Sequence, residues 1–120
     1  MSNVVVAATV AIAALTAAAL LQFALTRSGS IERNAMVGIK TSATLSSDAA
    51  WKAGHEAAQP ALMAVVVTGS GALLTVLGLR LLAPDAQTAA VVIAAMGLLA
   101  VIGLFVRAAR LANSAARAAN

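Results

Sequence analysis

No cysteine occurs in this 120-residue chain. That excludes a disulfide framework, a thiolate metal site and a cysteine nucleophile, and it leaves the redox compartment unread. There is one histidine, so a His-based metal site lacks companions and neither cofactor nor metal is expected. Acidic side chains number four, which is sparse material for acid–base chemistry, and the chain is not expected to be an enzyme. Charged residues make up 10% of the sequence, against about 25% in a soluble domain. Eight Lys and Arg, scattered along the chain, are too few for a nucleic-acid face despite a formal charge of +4.

What is abundant is apolar. Hydrophobic residues are 62% of the chain, and the mean hydropathy is +0.96. A water-soluble core of this size could not absorb that much apolar side chain, so the bilayer is the natural solvent. Val4 to Leu25 carries no formal charge, and about 20 residues cross the ~30 Å hydrocarbon core. Thr9, Thr16 and Gln22 interrupt it, and helical Thr hydroxyls can return to a carbonyl one turn back. A signal peptide would need a positively charged n-region, which Met1–Asn3 does not supply, so a retained span is expected. The second span runs from Pro60 to Leu82, with Pro60 in the first turn where its missing N–H matters least. Ala83–Gln87 is a turn, with Pro84 ending one helix and Asp85 placed to cap the next. The third span covers about 88–106. The tail, 107–120, is Ala-rich and expected to continue that helix. No spaced Gly-x-x-x-Gly pair occurs in spans two or three, and no internal repeat is visible.

The expected fold is therefore an all-α integral membrane protein forming a single membrane domain over 1–120. It has three transmembrane helices plus a short interfacial cytoplasmic helix between spans one and two. Three spans put the polar segment 27–59 and the C-terminus on one side, with seven basic residues against Arg80 alone on the other. The positive-inside rule then places the polar segment in the cytoplasm and the N-terminus outside. No charged residue lies mid-span, which argues against a proton- or ion-coupled transporter.

The polar segment holds the one Trp and the one His. Gly29 and Ser30 break the first helix, and Gly38 supplies backbone freedom before Ile39–Thr41. Thr44–Asp48 reads as a helix start, with Ser or Thr as cap and Asp48 at the positive end of the dipole. The helix from about Ser47 to Gln59 sets Asp48, Lys52 and Glu56 on one face as a charge ladder. Ala50, Ala53, Gly54, Ala57 and Ala61 lie on the other, a small face suited to close helix packing. Trp51 and His55 stand one turn apart between them. Trp51 reads as an interface anchor or packing plug, and His55 as a hydrogen-bonded structural or exposed histidine. Arg33 and Lys40 read as headgroup or carboxylate partners, or as an anion site with the Ser46–Asp48 helix start. The helix itself is expected to lie on the cytoplasmic leaflet.

Arg33-Asn34, then Gly38-Ile39-Lys40-Thr41, Thr44-Leu45-Ser46-Ser47, Trp51 and His55 resemble, in order and spacing, the signature of the SdpI family of small bacterial membrane proteins. Lys40 stands where that pattern has Arg, replacing a bidentate fork by a single ammonium. The resemblance implies a bacterial inner-membrane protein, as in a family whose named member gives immunity to a secreted killing peptide and signals by holding a DNA-binding repressor at the membrane. It also implies that Arg33, Asn34, Gly38, Lys40, Thr41, Thr44, Leu45, Ser47, Trp51 and His55 form the binding motif. Two partner readings follow: a cytoplasmic regulator or lipid headgroup bound by the motif, or membrane-complex subunits or a homo-oligomer built on the Gly- and Ala-rich helix faces.

Overall fold

The computed structural model describes residues 3–29, 32–33 and 37–120. Helix α1 is Asn3–Arg27, α2 is Asp48–Leu82 and α3 is Gln87–Ala118, with a short 3-10 turn at Thr44–Ser46 ahead of α2. All three helices are long and apolar enough to cross a bilayer. Their large side chains point outward: Val10, Val67, Leu74, Leu81, Met96 and Leu99 are all exposed. This inversion of the water-soluble pattern is what a lipid surround permits, since a helix satisfies its interior backbone groups within itself.

The interior mixes branched aliphatic residues with alanine. Ile12, Ala19, Leu62, Val65 and Val101 form its middle. Val5, Ala8, Val76, Ala90 and Ala94 close the end nearer the α2–α3 turn. Two glycines set the approach of the helices. A Cβ at Gly69 would collide with the Thr16 hydroxyl, and one at Gly97 would lie 2.8 Å from the Ala72 methyl. By contrast, Gly71, Gly78 and Gly103 face no atom within 4 Å, so only two of the five glycines inside the spans bring helices together.

The expected interfacial helix over 47–59 is corrected. Those residues are helical, but as the first third of α2, which passes through Pro60 without a break. Pro60 is exposed, and its ring removes one backbone donor from the ladder. The compensation comes from α3, whose Ala108, Ala112 and Ala116 are fully buried against this part of the molecule. Ala50 and Ala58 are equally buried, and a Cβ on Gly54 would sit 2.9 Å from the Ala112 carbonyl oxygen. Lying flat on a leaflet would have left that Ala/Gly face against headgroups. Standing upright buries it on α3 at van der Waals distance, where dispersion is strongest. Helix α2 is thus roughly 52 Å long, and its first 12 residues carry it about 18 Å beyond Pro60.

The turn between α2 and α3 also differs from expectation in one detail. Ala86, not Asp85, is the N-cap of α3, and no side chain caps it. The Asp85 contribution is its backbone carbonyl, which accepts from the Gln87 N–H at 2.9 Å.

Candidate functional site at the polar end of the bundle

Helix α1 ends where Gly29 takes φ +74°, the left-handed geometry that stops a helix cheaply only at glycine. After it, the segment from Val37 to Ser47 folds onto the upright ends of α2 and α3. Gly38 makes this possible. Its φ is +141°, and a Cβ there would lie 2.5 Å from the Trp51 ring and 3.0 Å from His55 Nε2. Only a residue without a side chain lets the backbone cross so close to the stacked pair. The Trp51 and His55 rings are 4.0 Å apart between centroids.

Immediately beyond Gly38, the Ile39 N–H donates to His55 Nε2 at 2.9 Å. The other ring nitrogen, Nδ1, lies 2.8 Å from the Trp51 carbonyl oxygen. Since Nε2 accepts, the proton is on Nδ1, and the imidazole is neutral with both nitrogens used. His55 is completely buried and lies in the part of α2 before Pro60, ahead of the run 60–82 expected to span. Burial pushes its pKa below the ordinary 6.5, and the bond to the Trp51 carbonyl opposes that only in part.

Thr44, also fully buried, ties the turn. Its hydroxyl donates to the Ile39 carbonyl at 2.8 Å and accepts the Thr41 N–H at 2.9 Å. The Thr44 N–H in return donates to Thr41 Oγ1 at 3.2 Å. Ser47 caps α2 by accepting the Ala50 N–H at 3.0 Å. The segment is then clasped from the far end of the chain. Thr41 Oγ1 donates to Asn113 Oδ1, Ser47 Oγ donates to Asn120 Oδ1 at 2.8 Å, and Asn120 Nδ2 donates to Ser46 Oγ at 2.6 Å. Composition had marked the tail only as Ala-rich. The available signal was two amide side chains, Asn113 and Asn120, in an otherwise Ala-rich tail.

Of the ten motif residues, the structure brings Gly38, Thr41, Thr44, Ser47, Trp51 and His55 into this one lattice. Arg33 stands apart from it in an ion pair, its Nε 3.3 Å from Asp48 Oδ1. With Asp48 89% exposed, such a pair contributes about 0–1 kcal/mol. Lys40 and Leu45 point outward from the lattice and are exposed. Asn34 lies outside the described residues. The Asp48–Lys52–Glu56 row is exposed, and no ion pair closes within it among the described residues. Nor do the described residues gather three metal-ligating side chains.

Beside the lattice lies a cleft of about 750 Å³. The end of α1 at Thr26–Gly29 forms one wall, Asp48, Trp51, Lys52 and Glu56 of α2 form another, and Glu32 and Arg33 also line it. Trp51 is 3% exposed, yet among the described residues its indole Nε1–H has no acceptor, and the Thr26 hydroxyl is likewise buried without a partner.

Three bilayer-length helices with a folded polar head at one end define a small multi-pass membrane protein. The model of the SdpI/YfhL protein family matches residues 30–107, nearly two thirds of the sequence, and the chain belongs to that family. No curated protein and no solved structure matches the chain.

Proposed function

We propose that this protein is a non-enzymatic membrane receptor of the SdpI type, standing in a bacterial inner membrane with its polar head in the cytoplasm and its N-terminus outside. The head docks a cytoplasmic regulator, in the manner of an immunity or signalling protein. One observation carries the reading. Thr41, Thr44, Ser47, Trp51 and His55 are spent on holding the head together, so what the motif displays is the outward surface at Lys40 and Leu45. There Leu45 is 41% exposed, just ahead of α2, at a level that a membrane boundary near Pro60 would set above the lipid. A segment frozen by internal hydrogen bonds and lifted beyond the headgroups is preorganised for docking, which lowers the entropy lost on binding. Basic residues cluster at this end, seven against Arg80, in keeping with a cytoplasmic placement.

Affinity purification of the tagged full chain from native membranes tests this, with wild type beside Lys40→Glu and Leu45→Asp. Both positions are exposed, so the head stays folded. The expected result is a soluble protein captured by wild type and lost in both variants. Identical capture by all three, together with unchanged sensitivity to secreted peptides on deletion, would remove the reading.

A further inference from the structure

The segment that crosses Trp51 is fastened unevenly. After Ile39 its bonds run to hydroxyls, amides and backbone groups. Thr44 Oγ1 holds the Ile39 carbonyl, Thr41 Oγ1 donates to Asn113, and Ser46 and Ser47 meet Asn120. None of these groups titrates near neutral pH. Ahead of them, the bond from the Ile39 N–H to His55 Nε2 is the one attachment of residues 38–47, among the described residues, that ends on a titratable side chain. Gly38 contributes no side chain of its own. Its backbone nevertheless covers the Trp51 ring, since a Cβ there would lie 2.5 Å from Trp51 Cη2.

A proton on His55 acts at that attachment alone. The imidazolium donates from both nitrogens. Nδ1 keeps the Trp51 carbonyl, but Nε2–H then faces the Ile39 N–H, donor against donor. The surrounding charges do not hold the cation in place. Around His55 the cleft carries Arg27 from α1, Glu32 and Arg33 from the stretch that follows it, and Asp48, Lys52 and Glu56 from α2. This set is balanced in sign, and Arg33 is paired with Asp48. Helix α3 packs here through Ala108, Ala112 and Ala116 and brings no titratable side chain to the cleft. Burial therefore decides, and it favours the neutral ring. We infer that the Gly38–Ile39 backbone is a proton-released strap, closed over Trp51 while His55 is neutral and lifted from the ring when His55 takes up a proton. The pivot is Ile39, whose carbonyl stays on Thr44 and whose side chain stays packed against the core. Gly38, without a Cβ, supplies the backbone rotation. Lys40 is the next residue along, so the strap also sets how the docking surface is presented; that consequence alone rests on the docking reading.

Hydrogen exchange separates a local opening of this kind from unfolding. The full chain in mild detergent is followed from neutral pH to one unit below the ordinary 6.5, with exchange corrected for its intrinsic pH dependence. Trp51 is the only tryptophan and there is no tyrosine, so acrylamide quenching of its emission reports the strap in parallel. The expected result is a loss of protection at the Ile39 amide of about tenfold over that unit, with quenching rising in step. The amides of Leu62 and Val65, inside the span, keep their protection. In His55→Gln both readouts are flat with pH. Glu32→Gln/Glu56→Gln, at exposed positions, keeps the transition. Unchanged Ile39 protection in wild type overturns the strap, and so does loss of protection at Ile39 and Leu62 together, which is unfolding. Both are read without any variant. A transition abolished in the double glutamate variant assigns the proton to a carboxylate and overturns it as well. Partner capture enters none of these readouts, so failure of the docking reading leaves the result intact.

Discussion

The Ile39 backbone N–H points at Nε2 of His55, sixteen residues later, and ends 2.9 Å from it. This bond holds the loop on the helix only while the imidazole is neutral. Protonation puts a hydrogen where the acceptor was and turns the contact into a clash of two donors. The consequence has a definite sign, because burial lowers the His55 pKa in the folded chain below 6.5. Above 6.5 the ring is neutral folded or unfolded, and the head has its full stability. Between 6.5 and the folded value, the unfolded chain takes up a proton that the folded chain refuses. Stability therefore falls as pH falls through this window and levels off below it. The thermal midpoint followed by Trp51 fluorescence should drop in wild type as pH falls below the ordinary 6.5. A flat profile there would contradict the buried neutral ring. His55→Gln should be less stable at neutral pH and nearly pH-independent.

Gly38→Ala tests the crossing point of loop and helix. The substitution combines a left-handed φ with a Cβ 2.5 Å from the Trp51 ring. Strained backbone of this kind costs about 1–3 kcal/mol, and displacement of Trp51 adds to it. The expected outcome is a lower midpoint with a red-shifted Trp51 emission. An unshifted emission would show that the ring is not held where the backbone of Gly38 passes.

Within the spans, Gly69 and Thr16 should behave as a coupled pair. Gly69→Ala puts a methyl group onto the Thr16 hydroxyl and should destabilise the bundle, whereas Gly71→Ala, which faces nothing within 4 Å, should be neutral or stabilising by up to about 1 kcal/mol from helix propensity. Adding Thr16→Ala should recover most of the Gly69→Ala loss. A double-mutant cycle in detergent measures the coupling, and additive effects would place α1 and α2 further apart than described.

Two substitutions probe α2 as a single helix. Ser47→Ala removes the cap and should cost about 1 kcal/mol. Pro60→Ala restores a backbone donor in the middle of a continuous helix and should raise the midpoint. If residues 48–59 instead formed a separate helix hinged at Pro60, the proline would belong to a first turn, and its loss would leave stability unchanged or lower it.

Much of this was legible in the chain itself. Runs of apolar residues at bilayer length, with charges kept to their ends, made α1, α2 and α3 recognisable, because hydrocarbon admits few other backbones. Ser47 as a cap and Gly29 as a stop were also readable, since both act on their immediate neighbours. The family motif appeared as a spaced pattern but not as a mechanism. Pro60 was misleading: a proline ahead of an apolar run reads as a helix start, and only the Ala108–Ala112–Ala116 face of α3 explains why the helix runs through it.

What the sequence determined by itself was the solvent and the number of helices, because hydropathy and length act locally and additively. The tertiary structure decided everything that depends on residues meeting from afar. It stood the first third of α2 upright against α3. It turned His55 into an acceptor for Ile39 and closed the polar segment with Asn113 and Asn120. Each follows from close packing of small side chains and from the demand that buried polar groups find partners, and neither condition can be evaluated until the helices are together.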